Sequence, residues 1–299
     1  MENWTKTSMP DLSGKTFMIT GANSGIGYES ALALAENGAL VVLACRDAGR
    51  AQQARNLILQ SAPNASLESI TLDLGDLNSI SSFASEFKKN HQRLDGLLNN
   101  GGLIAAKRSE TSDGFEAQFG INHLGHFALT GRLLDVLVNT PDSRVVTMGS
   151  RMHTSGKINW DDLMSQHKYD RWAAYKQSKL ANLLFAFELS RRFDKAGSSA
   201  ISLAAHPGVC KTGWADRNME GIMKFIGRMM GQPASIGALS PLYALTDPNV
   251  QSGGYYGPDQ DKKGYPVETK AAKSAYDEEA AKRLWEISER LTGISYEIS

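Results

Sequence analysis

The stretch "KTFMITGANSGIG", residues 15–27, joins a short apolar run to a turn that contains three glycines. Residues 15–20 have the apolar character of a buried strand. The pattern "GYESALALAENG", residues 27–38, has the periodicity of a helix that ends near Gly38. A strand, a glycine-rich turn and a helix in this order begin a right-handed βαβ unit. The stretch therefore predicts an α/β fold whose first turn can approach a ligand closely.

Outward from this stretch, apolar runs alternate with helical patterns along most of the chain. The predicted strands are 15–20, 40–45, 69–74, 95–100, 144–149 and 200–205, and the predicted helices include 27–38, 79–90 and 126–139. Such alternation predicts parallel crossovers and a doubly wound parallel sheet of the Rossmann type. No repeat, low-complexity tract or linker interrupts the pattern, so we predict a single domain over residues 1–299.

Composition excludes several classes of protein. The chain is 41% hydrophobic and 21% charged, with 32 basic and 32 acidic side chains, which gives no excess of basic charge for nucleic acid or lipid. The start lacks a signal-peptide pattern, and no later stretch approaches the roughly 18 apolar residues of a membrane span. Cys45 and Cys210 lack metal-ligand spacing, and so do His123, His126 and Glu116. We expect a cytoplasmic protein without a metal.

The turn "TGANSGIG", residues 20–27, has glycines where a phosphate-binding turn needs them. Gly21 can form the tight bend, Gly25 lets the backbone approach a pyrophosphate, and Gly27 lets the helix pack against the sheet. Free N–H groups at the helix N-terminus favour phosphate. The predicted dinucleotide contacts are Gly21, Asn23, Ser24, Gly25, Ile26 and Gly27. The spacing differs from the common G-x-G-x-x-G fingerprint, and a turn without a ligand is the alternative.

The end of the second predicted strand, "LACRDAGR", bears on the choice of cofactor. A protein of this fold that binds NAD carries an acid there, which accepts from the ribose 2′-hydroxyl. Here Cys45 takes that place, and Arg46 follows with a guanidinium that suits a 2′-phosphate. Asp47 beside it could offset part of that charge, and a solvated surface arginine is the alternative. We predict NADP(H) in preference to NAD(H).

Six motifs occur in the order typical of one enzyme family. They are "TGANSGIG", "LDL" at 72–74, "NNGG" at 99–102, "INHLGH" at 121–126, "YKQSK" at 175–179 and "HPG" at 206–208. On these motifs the chain resembles the short-chain dehydrogenases/reductases with TGxxxGIG and YxxxK signatures. The runs "GFEAQFGINHLGHFALT" and "SKLANLLF" are most similar to the retinol-dehydrogenase-like branch, and "YYGPDQ…GYP" resembles soluble bacterial members of it. The resemblance covers a core of about 12–295.

This resemblance implies a catalytic tetrad of Asn122, Ser150, Tyr175 and Lys179. A free tyrosine has a pKa of about 10, and a nearby ammonium lowers that pKa by favouring the phenolate. Tyr175 is thus the expected general acid/base, and Lys179, one helical turn away, is expected to tune it. Ser150 would hydrogen-bond the substrate oxygen, and Asn122 would hold a water on the proton path. Purely structural roles for Ser150 and Asn122 are the alternatives.

The resemblance also implies further cofactor contacts. They are Asp73, Leu74, Asn100, Gly101, Gly102, Tyr175, Lys179, Pro207, Gly208, Val209 and Thr212. Two departures concern glycines, since Gly101 replaces an alanine of the family pattern and Gly149 replaces the first of two serines. The interval of 25 positions between Ser150 and Tyr175 is also longer than usual, as in the retinol-dehydrogenase-like branch.

The stretch after "HPG", residues 209–233, is implied by the resemblance to be a small helical lid over the pocket. Its apolar helical face comprises Ile222, Met223, Phe225, Ile226, Met229 and Met230. We expect this face to close over an apolar aldehyde, ketone or alcohol. An amphipathic helix docked on the core or on another subunit is the alternative.

Together these patterns predict an NADP(H)-dependent oxidoreductase that interconverts a carbonyl and its alcohol. A non-catalytic NADP(H)-binding redox sensor on the same fold is the alternative from another class. The tyrosine–lysine pair disfavours a sensor, and the glycine spacing disfavours an isomerising or dehydrating relative. The expected partner is a small-molecule substrate, without nucleic acid or membrane anchor, and helical residues such as 176–193 offer a face for a homo-oligomer.

Overall fold

A computed structural model describes residues 3–211 and 231–298 of the chain. Its strands are β1 (Thr16–Thr20), β2 (Leu40–Cys45), β3 (Ser66–Thr71), β4 (Gly96–Asn99), β5 (Arg144–Met148), β6 (Ile201–Ala205), β7 (Cys210–Lys211), β8 (Gln232–Pro233), β9 (Tyr255–Pro258) and β10 (Pro266–Glu268). Within these residues one sheet runs in the order β10–β9–β6–β5–β4–β1–β2–β3, and β7 pairs separately with β8. Its pairings are parallel except for that of β9 with β10. The predicted doubly wound α/β fold is confirmed.

Helices follow the strands in the alternation that the sequence predicts. They are α1 (Gly25–Glu36), α2 (Ala48–Ser61), α3 (Leu77–Asn90), α4 (Ala117–Phe119), α5 (Gly125–Arg132), α6 (Leu134–Asn139), α7 (Arg171–Ala196), α8 (Ala234–Gly237), α9 (Leu239–Thr246) and α10 (Glu278–Thr292). A π-helix, Gly120–Leu124, joins α4 to α5, and a 3-10 helix, Arg151–Ser155, follows β5. An aspartate caps α2, α3, α7 and α10 by accepting hydrogen bonds from first-turn N–H groups, which explains where these helices begin.

Both faces of the sheet are buried. Alternate residues of a strand point to opposite faces, so Phe17 and Ile19 of β1 pack on one side while Met18 packs on the other. The side of Met18 is filled by aromatic residues from the helices, including Phe127 and Trp285. Because helices cover both faces of the central strands, these strands have continuous apolar sequences. Such runs can be recognised in the sequence.

The order of the strands reverses at β1, with β2 and β3 on one side and β4, β5 and β6 on the other. A crevice opens at such a point beyond the carboxyl ends of the strands. The glycine-rich turn, residues 20–27, leaves β1 at this end. The topology therefore positions the turn at the mouth of the crevice.

Two sequence predictions are corrected by the structure. The strand predicted at 69–74 spans Ser66–Thr71, because β3 is the edge strand and its exposed polar residues hide the pattern. The helix predicted at 126–139 is two helices, since the backbone of Leu133 (φ −101°, ψ 4°) lies outside the helical region. Strands β9 and β10 were not predicted, because they are short and contain glycine and proline.

The C-terminal part of the chain covers α7. Every residue from Gln177 to Ser190 is buried, and the guanidinium of Arg192 lies 4.1 Å from the ring centroid of Trp285 on α10. Within the described residues, this stretch of α7 therefore leaves no exposed face for a second copy of the chain. No helix in the described ranges is both long and apolar enough to span a bilayer.

Candidate active site

A cleft of about 960 Å³ opens at the carboxyl ends of the central strands. The predicted residues that line it are Gly21, Asn23, Ser24, Gly25, Ile26, Gly27, Arg46, Asp73, Leu74, Asn100, Gly101, Gly102, Ser150, Tyr175, Lys179, Pro207, Gly208 and Val209. Two predicted residues are not among them. Thr212 lies outside the described residues, as does the apolar face at 222–230, and Asn122 lies behind the wall of the cleft.

The glycine-rich turn has the geometry that a pyrophosphate needs. Gly21 and Gly25 have φ values of 67° and 56°, which side-chain-bearing residues rarely adopt. A Cβ on Gly27 would lie 2.5 Å from the main-chain oxygen of Gly21 and 2.7 Å from Asn100 Nδ2. The absence of side chains here leaves a concave backbone surface at the N-terminus of α1, where N–H groups favour an anion. These residues fit a dinucleotide phosphate.

We predict that Gly27→Ala lowers the melting temperature and weakens NADPH binding, because its Cβ would meet rigid backbone at a cost of about 1–3 kcal/mol. The comparison variant is Gly101→Ala, which restores the alanine of the family pattern. Its Cβ would meet the tip of Leu74, at 2.9 Å, and that side chain can move. Thermal unfolding and NADPH titration of both variants test this, and equal losses would contradict the geometry.

The loop after β4 faces the glycine-rich turn and is hydrogen-bonded to the end of β1. The backbone N–H groups of Asn100 and Gly101 donate to Thr20 Oγ1 at 2.9 and 2.8 Å, and Asn100 Nδ2 donates to the Thr20 main-chain oxygen at 2.8 Å. Asp73 also lines the cleft, and its Oδ1 accepts from the N–H of Gly75 at 2.8 Å. The motifs "TGANSGIG" and "NNGG" therefore form one rigid surface.

Two arginines stand at the end of β2, where the sequence analysis named one. Arg46 and Arg50 both line the cleft, Arg46 directly after β2 and Arg50 in the first turn of α2. Asp47 Oδ1 accepts from the N–H of Arg50 at 3.0 Å, and Asp47 Oδ2 lies 3.5 Å from Arg50 Nε. The carboxylate of Asp47 therefore caps α2 and pairs with Arg50. Cys45 is buried, and burial raises the pKa of its thiol to about 11, so it stays neutral. The spacing of four from Arg46 was the signal that could have identified Arg50.

Ser150, Tyr175 and Lys179 meet at the other end of the cleft. The Ser150 hydroxyl is hydrogen-bonded to the Tyr175 phenol, and Lys179 Nζ lies 5.9 Å from the centroid of the Tyr175 ring. Lys179 Nζ also donates to the Met148 main-chain oxygen at 3.0 Å. Burial raises the pKa of Tyr175 to about 12 and lowers that of Lys179 to about 8. At neutral pH the phenol is therefore protonated and the amine is mostly charged.

Asn122 lies in the π-helix and fixes the wall of the cleft from behind. Its Oδ1 accepts from the Leu103 N–H at 2.8 Å, and its Nδ2 donates to the Leu103 oxygen and to Ser178 Oγ, both at 3.0 Å. Both amide hydrogens are thus used by the protein. The side chain holds Leu103 and α7 in place, so a water on the proton path would need the main chain of Asn122 instead.

The long connection between Ser150 and Tyr175 folds away from the cleft. Gln177 anchors it, since Gln177 Oε1 accepts from the Asn159 N–H at 2.7 Å and Nε2 donates to the Leu163 oxygen at 2.9 Å. In the described part of the chain, none of residues 156–170 lines the cleft. The relative position of Ser150 and Tyr175 is therefore set by β5 and α7, and the longer connection does not change it.

A loop after β9 supports the cleft near Ser150. The Lys262 main-chain oxygen accepts from the Val209 N–H at 2.8 Å, and Asp261 forms an ion pair with Arg151. The nearby cleft wall is mostly apolar and includes Leu103, Met152 and Trp172, which the sequence analysis did not identify. These three residues are far apart in the sequence, so no local pattern identifies them as neighbours.

The fold and the position of the cleft together define a protein of the doubly wound, Rossmann-type class. A family model described as short chain dehydrogenase matches residues 15–221. The chain belongs to the short-chain dehydrogenase family and, within it, to the retinol-dehydrogenase-like branch. It is therefore an oxidoreductase that acts on CH–OH or C=O groups with a nicotinamide cofactor, and the predicted family is confirmed.

Several relatives support this assignment. Human retinol dehydrogenase 14 is 36% identical over 301 residues, covering 94% of this chain and 87% of that protein. Mouse retinol dehydrogenase 13 is 39% identical over 301 residues, covering 97% and 86%. The crystal structure of an uncharacterized protein from Mycobacterium paratuberculosis is 38% identical, with a TM-score of 0.84, and covers 99% of this chain and 100% of that one. A short chain dehydrogenase from Shigella flexneri, complexed with NADP, shares the fold at 23% identity and a TM-score of 0.67, covering 83% and 98%.

Proposed function

We propose that this protein is an NADP(H)-dependent oxidoreductase that interconverts an apolar carbonyl compound and its alcohol, with Tyr175 as general acid and base. The observation that carries the proposal is the hydrogen bond of the Tyr175 phenol to Ser150 inside the dinucleotide cleft, with Lys179 beside the same ring. A proton donor, an oxygen-binding hydroxyl and an ammonium group share one space, as carbonyl reduction requires. A redox sensor would not need this group of residues.

The proton step uses residues of this chain alone. When bound, the nicotinamide supplies or accepts the hydride at the substrate carbon. In reduction, Tyr175 Oη donates its proton to the substrate oxygen, while the Ser150 hydroxyl donates a hydrogen bond to the same oxygen and orients it. The ammonium of Lys179 stabilises the phenolate that remains. In oxidation the phenolate accepts the alcohol proton, and the same contacts act in reverse.

The ordinary pKa of tyrosine, about 10, is already high for a base near neutrality, and burial raises the pKa of Tyr175 to about 12. The enzyme must therefore lower this pKa when it oxidises an alcohol. The Ser150 hydrogen bond favours the phenolate, and a positive charge brought to the ring adds to that effect. Lys179 supplies such a charge below its own pKa of about 8.

The preference for NADP(H) rests on the charges at the end of β2. Arg46 and Arg50 offer two guanidinium groups to the cleft, whereas the neighbouring acid Asp47 is bonded to the first turn of α2 and to the Arg50 side chain. A neutral thiol, Cys45, stands where an acid would repel a 2′-phosphate. Charge-assisted bonds from arginine suit that phosphate.

Arg46→Ala should weaken NADPH binding by about 10- to 100-fold and leave NADH binding almost unchanged, since a hydrogen bond to a charged group contributes about 1.5–3 kcal/mol. The control is Arg55→Ala, because Arg55 is a nearby arginine on α2 that bonds to the Leu67 main-chain oxygen outside the cleft. Fluorescence titration with both dinucleotides gives the ratio of dissociation constants. If the ratio of dissociation constants were unchanged in Arg46→Ala, the proposed preference for NADP(H) over NAD(H) would be contradicted.

An apolar substrate is favoured by the walls beside Ser150. Leu103, Met152 and Trp172 line the cleft with uncharged side chains, and the charge of Arg151 is partly neutralised by Asp261. Burial of apolar substrate surface against such walls contributes about 25 cal/mol per Å². This supports an aldehyde, ketone or alcohol whose non-reacting part is a hydrocarbon.

The test is consumption of NADPH by the purified protein over carbonyls graded from short aldehydes to retinal and steroid ketones. The proposal predicts turnover that increases with apolar size until the cleft is filled. Turnover only of the short aldehydes would contradict the apolar substrate. NADPH binding without turnover of any of these carbonyls would favour the redox sensor on the same fold.

A further inference from the structure

A buried hydrogen-bond network behind the cleft plays no part in the proton step described above. Its centre is His126 on α5, which is 1% exposed and does not line the cleft. His126 Nε2 lies 2.9 Å from Thr20 Oγ1, and His126 Nδ1 lies 3.0 Å from the main-chain oxygen of Asn122. The ring thus joins the first residue of the glycine-rich turn to the π-helix.

The direction of each bond follows from its partner. The main-chain oxygen of Asn122 can only accept, so His126 Nδ1 carries a proton and donates it. Burial lowers the pKa of His126 to about 4, so at neutral pH its Nε2 carries no proton and accepts from the Thr20 hydroxyl. Thr20 Oγ1 then accepts from the N–H groups of Asn100 and Gly101. Each contact has one donor and one acceptor.

The network continues from Asn122 to the helix that carries Tyr175. Asn122 Nδ2 donates to Ser178 Oγ at 3.0 Å, and Ser178 Oγ donates to the Tyr175 main-chain oxygen at 2.9 Å. The other acceptor near the Thr20 hydroxyl, the main-chain oxygen of Leu98, is more distant at 3.3 Å. An unbroken series of hydrogen bonds therefore runs from the dinucleotide turn to the backbone of Tyr175.

We propose that His126 is a positioning residue that fixes the glycine-rich turn, through Thr20, relative to Tyr175, through Asn122. The effect of His126 on kcat rests on the proposed function, whereas its tautomer rests on the hydrogen-bond geometry and on the burial of the ring. A ring without nitrogen atoms leaves the Thr20 hydroxyl and the Asn122 oxygen without a shared partner, so the turn and α7 can shift independently. A misplacement of about 1 Å between reacting groups can cost about 100-fold in rate.

His123 is a matched control within the same helical segment. It is also buried, and its Nε2 lies 2.9 Å from Ser288 Oγ on α10, far from the turn. Ser288 Oγ donates its proton to the Leu284 oxygen at 2.8 Å, so His123 Nε2 must donate to Ser288. The two histidines therefore carry their protons on opposite nitrogens, Nδ1 in His126 and Nε2 in His123.

The first measurement is a nitrogen-15 NMR spectrum of histidine-labelled protein at pH 7, with signals assigned from His126→Gln and His123→Gln. The spectrum should show a protonated Nδ1 and a bare Nε2 for His126, and the reverse for His123. A protonated Nε2 in His126 would break the series at Thr20 and overturn the inference. This readout needs neither cofactor nor substrate.

The second measurement compares His126→Phe, His126→Gln and His123→Phe by thermal unfolding, NADPH affinity and kcat. Both phenylalanine variants lose one buried imidazole and should lose similar stability. Only His126→Phe should also lower kcat by about tenfold or more and raise the NADPH dissociation constant. His126→Gln, whose amide offers one donor and one acceptor, should restore both values to within about threefold of the unmodified protein.

The outcomes separate this inference from the proposed function. If the unmodified protein turns over no carbonyl, the proposed function fails, but the tautomers and the NADPH affinities still test His126. Equal losses of affinity in His126→Phe and His123→Phe would reduce His126 to a purely structural residue. A His126→Gln variant as impaired as His126→Phe would also contradict the positioning role. If His126→Phe does not fold, the spectrum and His126→Gln decide.

Discussion

Tyr175→Phe should reduce kcat by at least about 10³-fold while the dissociation constant for NADPH changes little, because general acid–base catalysis contributes about 10²–10⁴-fold and here one phenol supplies it. Phenylalanine keeps the ring beside Lys179 and removes only the oxygen that carries the proton. The Ser150 hydroxyl loses the Tyr175 phenol as a partner but keeps the Met152 N–H at 3.2 Å, and it can still bind the substrate oxygen. Steady-state kinetics with the best substrate of the carbonyl series, and NADPH titration, measure the two effects.

Tyr169→Phe is the matched control for this prediction. Tyr169 also carries a hydrogen-bonded phenol, which donates to the Ala105 oxygen at 2.8 Å and accepts from Gln118 Nε2 at 2.8 Å, but it does not line the cleft. Loss of that hydroxyl should lower stability by about 1 kcal/mol and leave kcat near its original value. A Tyr175→Phe variant that retained a tenth of the original kcat would exclude Tyr175 as the main proton donor.

Lys179→Met should lower kcat by about 10²-fold or more and at the same time stabilise the protein without ligand at pH 7. Oxidation of an alcohol needs the phenolate, so its rate rises with pH. Without the ammonium this rise should move to higher pH, because the phenolate loses its neighbouring positive charge. Initial rates of oxidation between pH 6 and pH 10, about two units either side of the Lys179 pKa of about 8, measure the shift.

The stabilisation follows from the pKa of Lys179, which burial lowers from 10.5 to about 8. Below pH 8 the amine is charged in both the folded and the unfolded chain, so the cost of the buried charge is fully present. Between pH 8 and 10.5 only the unfolded chain holds the proton, so the stability of the unmodified protein rises with pH. Lys179→Met should therefore gain up to about 3 kcal/mol in free energy of unfolding at neutral pH, and little at high pH.

Urea unfolding of Lys179→Met at both ends of this pH window tests the prediction. Asn182 Nδ2 still donates to the Met148 oxygen at 3.0 Å, so that acceptor keeps one partner. Lys107→Met, which removes an exposed ammonium, should change the free energy of unfolding by less than about 0.5 kcal/mol at either pH. A Lys179→Met variant that is destabilised at neutral pH would show that the contacts of the amine outweigh its desolvation.

Much of the site was predictable because its motifs are short and local. Gly21, Gly25 and Gly27 lie on one turn, and Tyr175 and Lys179 lie one helical turn apart. Residues that are close in the sequence are therefore also close in the structure. The cation at Arg46 follows directly from the end of β2. Where the prediction failed, the elements were exposed or irregular: β3 at the sheet edge, the break at Leu133, and the hairpin of β9 and β10.

By itself, the sequence determined the parallel α/β order, the nucleotide turn and the types of side chain offered for catalysis, because these depend on periodicity and on nearby residues. Only the tertiary structure decided that Asn122 faces Leu103 and Ser178 and not the cleft. It also decided that α10 covers α7, and that His126 joins Thr20 to Asn122. Burial, and with it the pKa values of Tyr175 and Lys179, depends on packing among residues that are distant in sequence. Hydrogen-bond direction likewise depends on which distant donors and acceptors meet, and no local pattern specifies them.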